Sequence, residues 1–337
     1  MGNDDYFSLL HVGEEASEAE IKAAFMRAVR KHPPHKDPEK YKKLRQAYEC
    51  LSSEPDRKAY IKNINSGGEI SKLQGQIDRS FVAEEWGSAE SQCKRLLVLD
   101  PENDSCRNQL ALAQWRGGNW SKSFATYEKL NSRDHGVLQY HLNEAQVLTD
   151  VIQNNKNLGS YWPRAIACCE KAMSIDPAES GPILQLGVIA FFQDDTDKAL
   201  HQFRKAIHAD GEVDFHDLES YLWICRTYAV LSDRSSYQST VQDIDKILDQ
   251  ESVEFASSLF AQEGAELAEI EQLELAKWFL ETANGFLHRF GKSDGRIDEA
   301  LSILSKVTVQ SLGGDEGGCV GCFWMIVGLG ALASMFS

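Results

Sequence analysis

The sequence predicts an all-α protein: a small helical hairpin, then an α-solenoid of paired helices, then an apolar C-terminal helix. Three observations predict it. Apolar residues recur at three- and four-residue steps along most of the chain, and no convincing run alternates Val, Ile or Thr with polar residues. A small residue opens a recurring pattern at intervals of 34, 42 and 34 residues. Residues 319–337 carry no charge at all. The expected domains are 1–66, 67–310, a linker at 311–318 and the tail at 319–337.

Composition narrows the function classes. The 337 residues include 51 acidic and 35 basic side chains, for a formal charge of −16. Coating nucleic acid needs a basic footprint that releases counterions, so no nucleic-acid partner is expected. The 8 cysteines are scattered and no apolar leader precedes them, which points to free thiols and a cytoplasmic bulk.

The head comes first. Asp-Tyr-Phe-Ser-Leu-Leu at residues 5–10 leads into a turn, and Ser17 with Glu20 forms a capping box that starts a helix. Ile21, Ala24, Phe25 and Ala28 then recur at helical spacing. Residues 32–38 contain three prolines and break the helix; a second helix follows with Tyr41, Leu44, Ala47, Tyr48 and Leu51 as its apolar face. Gln46-Ala47-Tyr48-Glu49-Cys50-Leu51 and Pro55-Asp56-Arg57-Lys58-Ala59-Tyr60 close the head.

These residues resemble the J domain of the DnaJ co-chaperones over residues 4–62. The resemblance implies a helical hairpin that docks on a DnaK-type chaperone through a basic second helix and a His-Pro-Asp loop, stimulating its ATPase. The basic residues are present at Lys22, Arg27, Arg30 and Lys31. The loop departs from the family. Residues 31–39 read Lys-His-Pro-Pro-His-Lys-Asp-Pro-Glu, against a typical Lys-Tyr-His-Pro-Asp-Lys-Asn-Pro-Glu. Pro33 stands for the histidine, Pro34 matches, and His35 stands for the aspartate. Neither proline nor neutral imidazole can accept charge-assisted hydrogen bonds from a partner's arginine as a carboxylate does. The candidate docking residues are therefore Lys22, Arg27, Arg30, Lys31, Pro33, Pro34, His35, Lys36 and Asp37, with weak or absent stimulation expected. A solvated helix face explains the basic residues equally well.

The array follows. Ala89 is succeeded four and seven residues later by Cys93 and Leu96, then by Asp100-Pro101. Ser123 precedes Tyr127 and Leu130; Ala165 precedes Cys169 and Ala172; Ala199 precedes Phe203 and Ala206. The small residue lets two helices approach, and the residues four and seven later share its face. Ile183-Leu184-Gln185-Leu186-Gly187 is the best first helix, with Leu110-Ala111 in the same register earlier. This resembles the tetratricopeptide repeat, whose two antiparallel helices span 34 residues. The 42-residue interval is expected to hold an insertion at residues 154–160. Beyond Gly211 the pattern loosens, with Thr240, Ile244 and Ile247, Ala276, Leu280 and Ala283, and Ala300, Leu304 and Val307 continuing it irregularly.

Trp86, Trp120 and Trp162 each precede an anchor by three residues, as an aromatic binding row or as repeat packing. His201 and His208 lie one heptad apart without a thiol or carboxylate at a matching step. No nucleophile–base pair, phosphate loop or metal quartet is present in the array, so no enzyme, cofactor or metal is expected.

In the tail, nineteen uncharged residues span about 28 Å as a helix, close to the bilayer core. A C-terminal membrane anchor is expected, with a helix buried in the array as the alternative. Cys319 and Cys322 make half a zinc site. The functional expectation is a membrane-anchored adaptor that binds protein or peptide clients through its repeats. An active co-chaperone for a DnaK-type partner is the first alternative and an enzyme the second.

Overall fold

The computed structural model describes residues 5–133 and 136–312; among them no strand occurs. The chain divides into two compact units, Met1–His135 and Gly136–Ser337. The first holds the head and two helical pairs; the second holds the remaining pairs.

In the head, α1 (Tyr6–Leu10), α2 (Glu18–Lys31), α3 (Pro38–Ser52) and α4 (Glu54–Asn65) follow one another. The capping box predicted at Ser17 is formed in full: Glu20 N donates to Ser17 Oγ, and Ser17 N donates to Glu20 Oε2 at 2.8 Å. Helices α2 and α3 pack through Ile21, Ala24, Leu44, Ala47 and Leu51, all buried, with Phe7 and Leu10 of α1 closing the core. Burying each large aliphatic contributes roughly 1.5–3 kcal/mol. Phe25 and Tyr48 stack at 4.5 Å between ring centroids. Helix α4 is tied back by Tyr60, which donates to Asp5 Oδ1 at 3.1 Å and accepts from Tyr6 N at 2.8 Å. Arg57 also donates to the Ala16 carbonyl at 2.6 Å. None of these contacts uses the α2–α3 loop.

The first unit continues with the pairs α5 (Glu69–Val82) with α6 (Trp86–Leu99) and α7 (Asp104–Arg116) with α8 (Trp120–Asn131). The anchors Ala89 and Ser123 are fully buried where paired helices meet, as are Cys93, Leu96, Tyr127 and Leu130.

The second unit contains α9 (Leu138–Asn154) with α10 (Trp162–Ile175), α11 (Ser180–Phe192) with α12 (Thr196–Ile207), α13 (Leu218–Val230) with α14 (Arg234–Ile247), α15 (Val253–Glu269) with α16 (Leu273–Arg289), and then α17 (Gly295–Leu312). Ala165 and Ala199 are fully buried. The insertion expected at residues 154–160 is a 3₁₀ turn, Lys156–Tyr161, after a 17-residue α9. Pairing continues through α16, with Thr240 and Ala276 buried on second helices. Ala300 departs from the expectation. It lies on α17, which packs directly on α16 with no first helix between them, so the 24-residue step from Ala276 is one helix rather than a pair.

Close approach fixes the glycines. A Cβ on Gly187 would stand 2.5 Å from Phe203 Cδ1, and one on Gly264 would stand 2.8 Å from Leu280 Cγ. Ala111 and Tyr127 are fully buried at the same sixteen-residue separation. In these three pairs a small first-helix residue is matched to a large second-helix one, a packing rule that α5 and α6 reverse with Ile77 and Cys93.

The three tryptophans open α6, α8 and α10 as half-buried residues, not as an exposed row. Trp86 packs edge-on against Phe81 at 5.6 Å and Trp120 against Phe124 at 5.5 Å. His201 and His208 are both exposed. Among the described residues no helix is long and apolar enough to cross a membrane. The expected anchor at 319–337, with its Cys319 and Cys322, lies outside the described residues.

Candidate partner-docking site

Helix α2 ends at Lys31 and α3 begins at Pro38, leaving residues 32–37 to cross between them. Prolines cannot donate, so the turn is closed by later amides: the Pro33 carbonyl accepts from Lys36 N at 2.9 Å and Asp37 N at 3.0 Å. Asp37 then caps α3. Its Oδ1 accepts from Lys40 N at 3.1 Å, with Pro38 in the first turn, where its missing N–H is not needed.

The other carboxylate oxygen, Oδ2, lies 3.1 Å from His32 Nδ1. An ionised carboxylate only accepts hydrogen bonds, so the imidazole carries its proton on Nδ1. Both oxygens of the loop's single carboxylate are thus engaged within the head. His35, which stands where the family has its aspartate, is exposed with Pro34 and Lys36 on either side; Pro33 and Asp37 are half-buried.

The basic residues of α2 divide. Arg27, Arg30 and Lys31 lie three and four residues apart and line one cleft with His32 and Lys40. Lys22 is exposed but outside that cleft. Asp5 is the cleft's only carboxylate, so its field is positive and suits an acidic surface. Sequence reasoning missed Lys40 as a site residue because only the α2–α3 packing brings it across. The signal was present in Asp37-Pro38, a cap followed by a first-turn proline that places Lys40 one turn into α3. Among the described residues no group of His, Cys, Asp and Glu side chains is arranged to hold a metal ion.

The DnaJ domain family model matches residues 5–60. The chaperone protein DnaJ of Anaplasma marginale (strain Florida) is 41% identical over 78 residues, covering 20% of this chain and 21% of that protein. That of Leptothrix cholodnii is 41% identical over 68 residues, covering 18% of each. The chain thus spans about a fifth of the length of the curated relatives it matches. Similar solved structures include a thermophilic TPR protein of Thermus thermophilus, with a TM-score of 0.44 and 13% identity, covering 54% of this chain and 92% of that one. Another is the human IFIT1 dimer with PPP-AAAA, with a TM-score of 0.49 and 13% identity, covering 94% and 75%. With α1–α4 in place and the sequence match running from α1 into α4, the chain carries a DnaJ domain at residues 5–60, followed by tetratricopeptide-like helical pairs.

Proposed function

We propose that the protein is a co-chaperone-like adaptor whose helical pairs hold a protein or peptide partner, and whose DnaJ domain docks without stimulating a DnaK-type ATPase. The observation that carries this reading is the engagement of Asp37 by the α3 cap and by His32, with His35 in place of the family's aspartate. The loop's one carboxylate is committed to contacts within the head, and the position where the family has its aspartate carries none for a partner's arginine. The reading is of a binding protein rather than a catalyst. Its test is the ATPase rate of a purified DnaK-type chaperone with the full chain and with Pro33→His combined with His35→Asp. The native chain is expected to leave the rate unchanged and the double variant to raise it. Full stimulation by the native chain would overturn the reading.

The retained cluster of Arg27, Arg30, Lys31 and Lys40 beside the loop favours a second reading, an active co-chaperone that recruits the chaperone to clients. Native stimulation, lost on Arg27→Glu with Arg30→Glu, is what it expects.

The uncharged run 319–337 supports a membrane anchor holding a cytoplasmic bulk. Deleting it is expected to leave the described helices folded, by circular dichroism, and to abolish retention of the protein with membranes in alkaline carbonate. A full chain released by carbonate would remove the anchor from the reading.

A further inference from the structure

The net charge of −16 is not evenly distributed. Residues 1–135 carry 21 acidic and 21 basic side chains, whereas residues 136–337 carry 30 and 14. Within the second unit this excess meets an aromatic cleft between α13 and α15, the first helices of consecutive pairs. Its rim exposes Phe215, Phe255, Glu219 and Glu266. Its floor includes Trp223 and Glu263, the latter only 5% exposed.

Arg226 is the only lysine or arginine among the cleft's residues, and it is already engaged. Its Nη1 donates to Glu263 Oε2 at 3.1 Å, and its guanidinium sits 5.0 Å from the centre of the Trp223 ring. The second oxygen of that carboxylate, Oε1, is buried and has no hydrogen-bond partner. A buried acceptor left without a donor costs about 1–3 kcal/mol, more when charged. The exposed carboxylates of Glu219 and Glu266 and the buried Glu263 carboxyl therefore face one committed cation, in a cleft walled by aromatic rings that stack well with guanidinium or alkyl-ammonium groups.

We infer that this cleft holds a basic segment of a partner protein, with a lysine or arginine side chain passing between Glu219 and Glu266 toward Glu263 and an apolar neighbour resting on Phe215 and Phe255. This rests on the adaptor reading above and gives its partner a chemistry. A carboxylate-bearing peptide would meet the rim carboxylates of Glu219 and Glu266 and no uncommitted lysine or arginine.

The test uses the full chain and a fluorescein-labelled peptide of eight alternating lysines and leucines, with its glutamate–leucine counterpart as control. Anisotropy is expected to show binding of the basic peptide alone. Glu219→Lys with Glu266→Lys should weaken it about tenfold or more. Glu170→Lys with Glu299→Lys makes the same net charge change on exposed residues elsewhere in the unit, and should weaken it by less than about threefold. Phe255→Ala, at a side chain 59% exposed, should also weaken binding; it decides the matter if the double cleft variant fails to fold by circular dichroism. Equal losses from the cleft and control pairs, binding of the acidic peptide, or no binding of the basic one would each overturn the inference. Any of these would leave the adaptor reading to its own ATPase and anchoring tests.

Discussion

Ala199→Arg is expected to cost about 3–5 kcal/mol, the range for an unpaired charge in a packed interior. For a unit of this size that lowers the thermal midpoint by on the order of 10 °C. Ala199 is fully buried on α12, one turn before Phe203, and Gly187 of α11 leaves no room for even a methyl group against that ring. Arginine at 199 has no path to water short of separating the pair. Thermal denaturation followed by circular dichroism is the measurement, and Gly187→Ala is its companion. The added methyl should cost about 1–3 kcal/mol by overpacking, without any charge. A variant with arginine at 199 that melts within a degree of the parent would show that the small-to-large packing rule does not hold α11 and α12 together.

Glu263→Gln is expected to change how stability depends on pH. Burial raises the Glu263 carboxyl to about 7, against the opposing pull of Arg226. Below its ordinary value of 4.5 the group is protonated in both folded and unfolded chains and contributes nothing. Between that value and about 7 the folded chain holds a proton that the unfolded chain has released. Stability therefore falls as pH rises through this window, by about 3 kcal/mol, and then levels off. Glutamine keeps the shape and the acceptor for Arg226 but cannot ionise. In urea denaturation the variant should match the parent near pH 5 and exceed it by about 2 kcal/mol near pH 8. Parallel curves for the two proteins would mean that Glu263 is ionised in the fold throughout and that Arg226 offsets its burial.

The parts of the fold legible in the sequence are those set by local chemistry. Ser17 and Glu20 are three residues apart and make their reciprocal cap without help from the rest of the chain. Ala89, Ser123, Ala165 and Ala199 are legible because a repeat must place the same kind of residue at the same contact. Asp37 shows the limit. In the family register it stands two positions after the aspartate's place, but its two engagements depend on a turn folding His32 back across two prolines. Lys40 and Glu263 were illegible for a related reason. Each belongs to a site through a partner helix, and nothing in the adjoining residues marks which face of a helix another helix will cover. Ala300 misled because the anchor pattern is shared by any helix that packs on its predecessor, paired or not.

The crossing at residues 32–37 also bears on the chain before it folds. Pro33, Pro34 and Pro38 hold three backbone torsions near their folded values even in the denatured ensemble, and each such restriction is worth about 0.4–1 kcal/mol where the native geometry accepts it. The contact between His32 and Asp37 then closes a loop already stripped of most of its freedom. The segment is also a stiff corner of the head, and that part of its contribution lies in the disorder the unfolded chain no longer has.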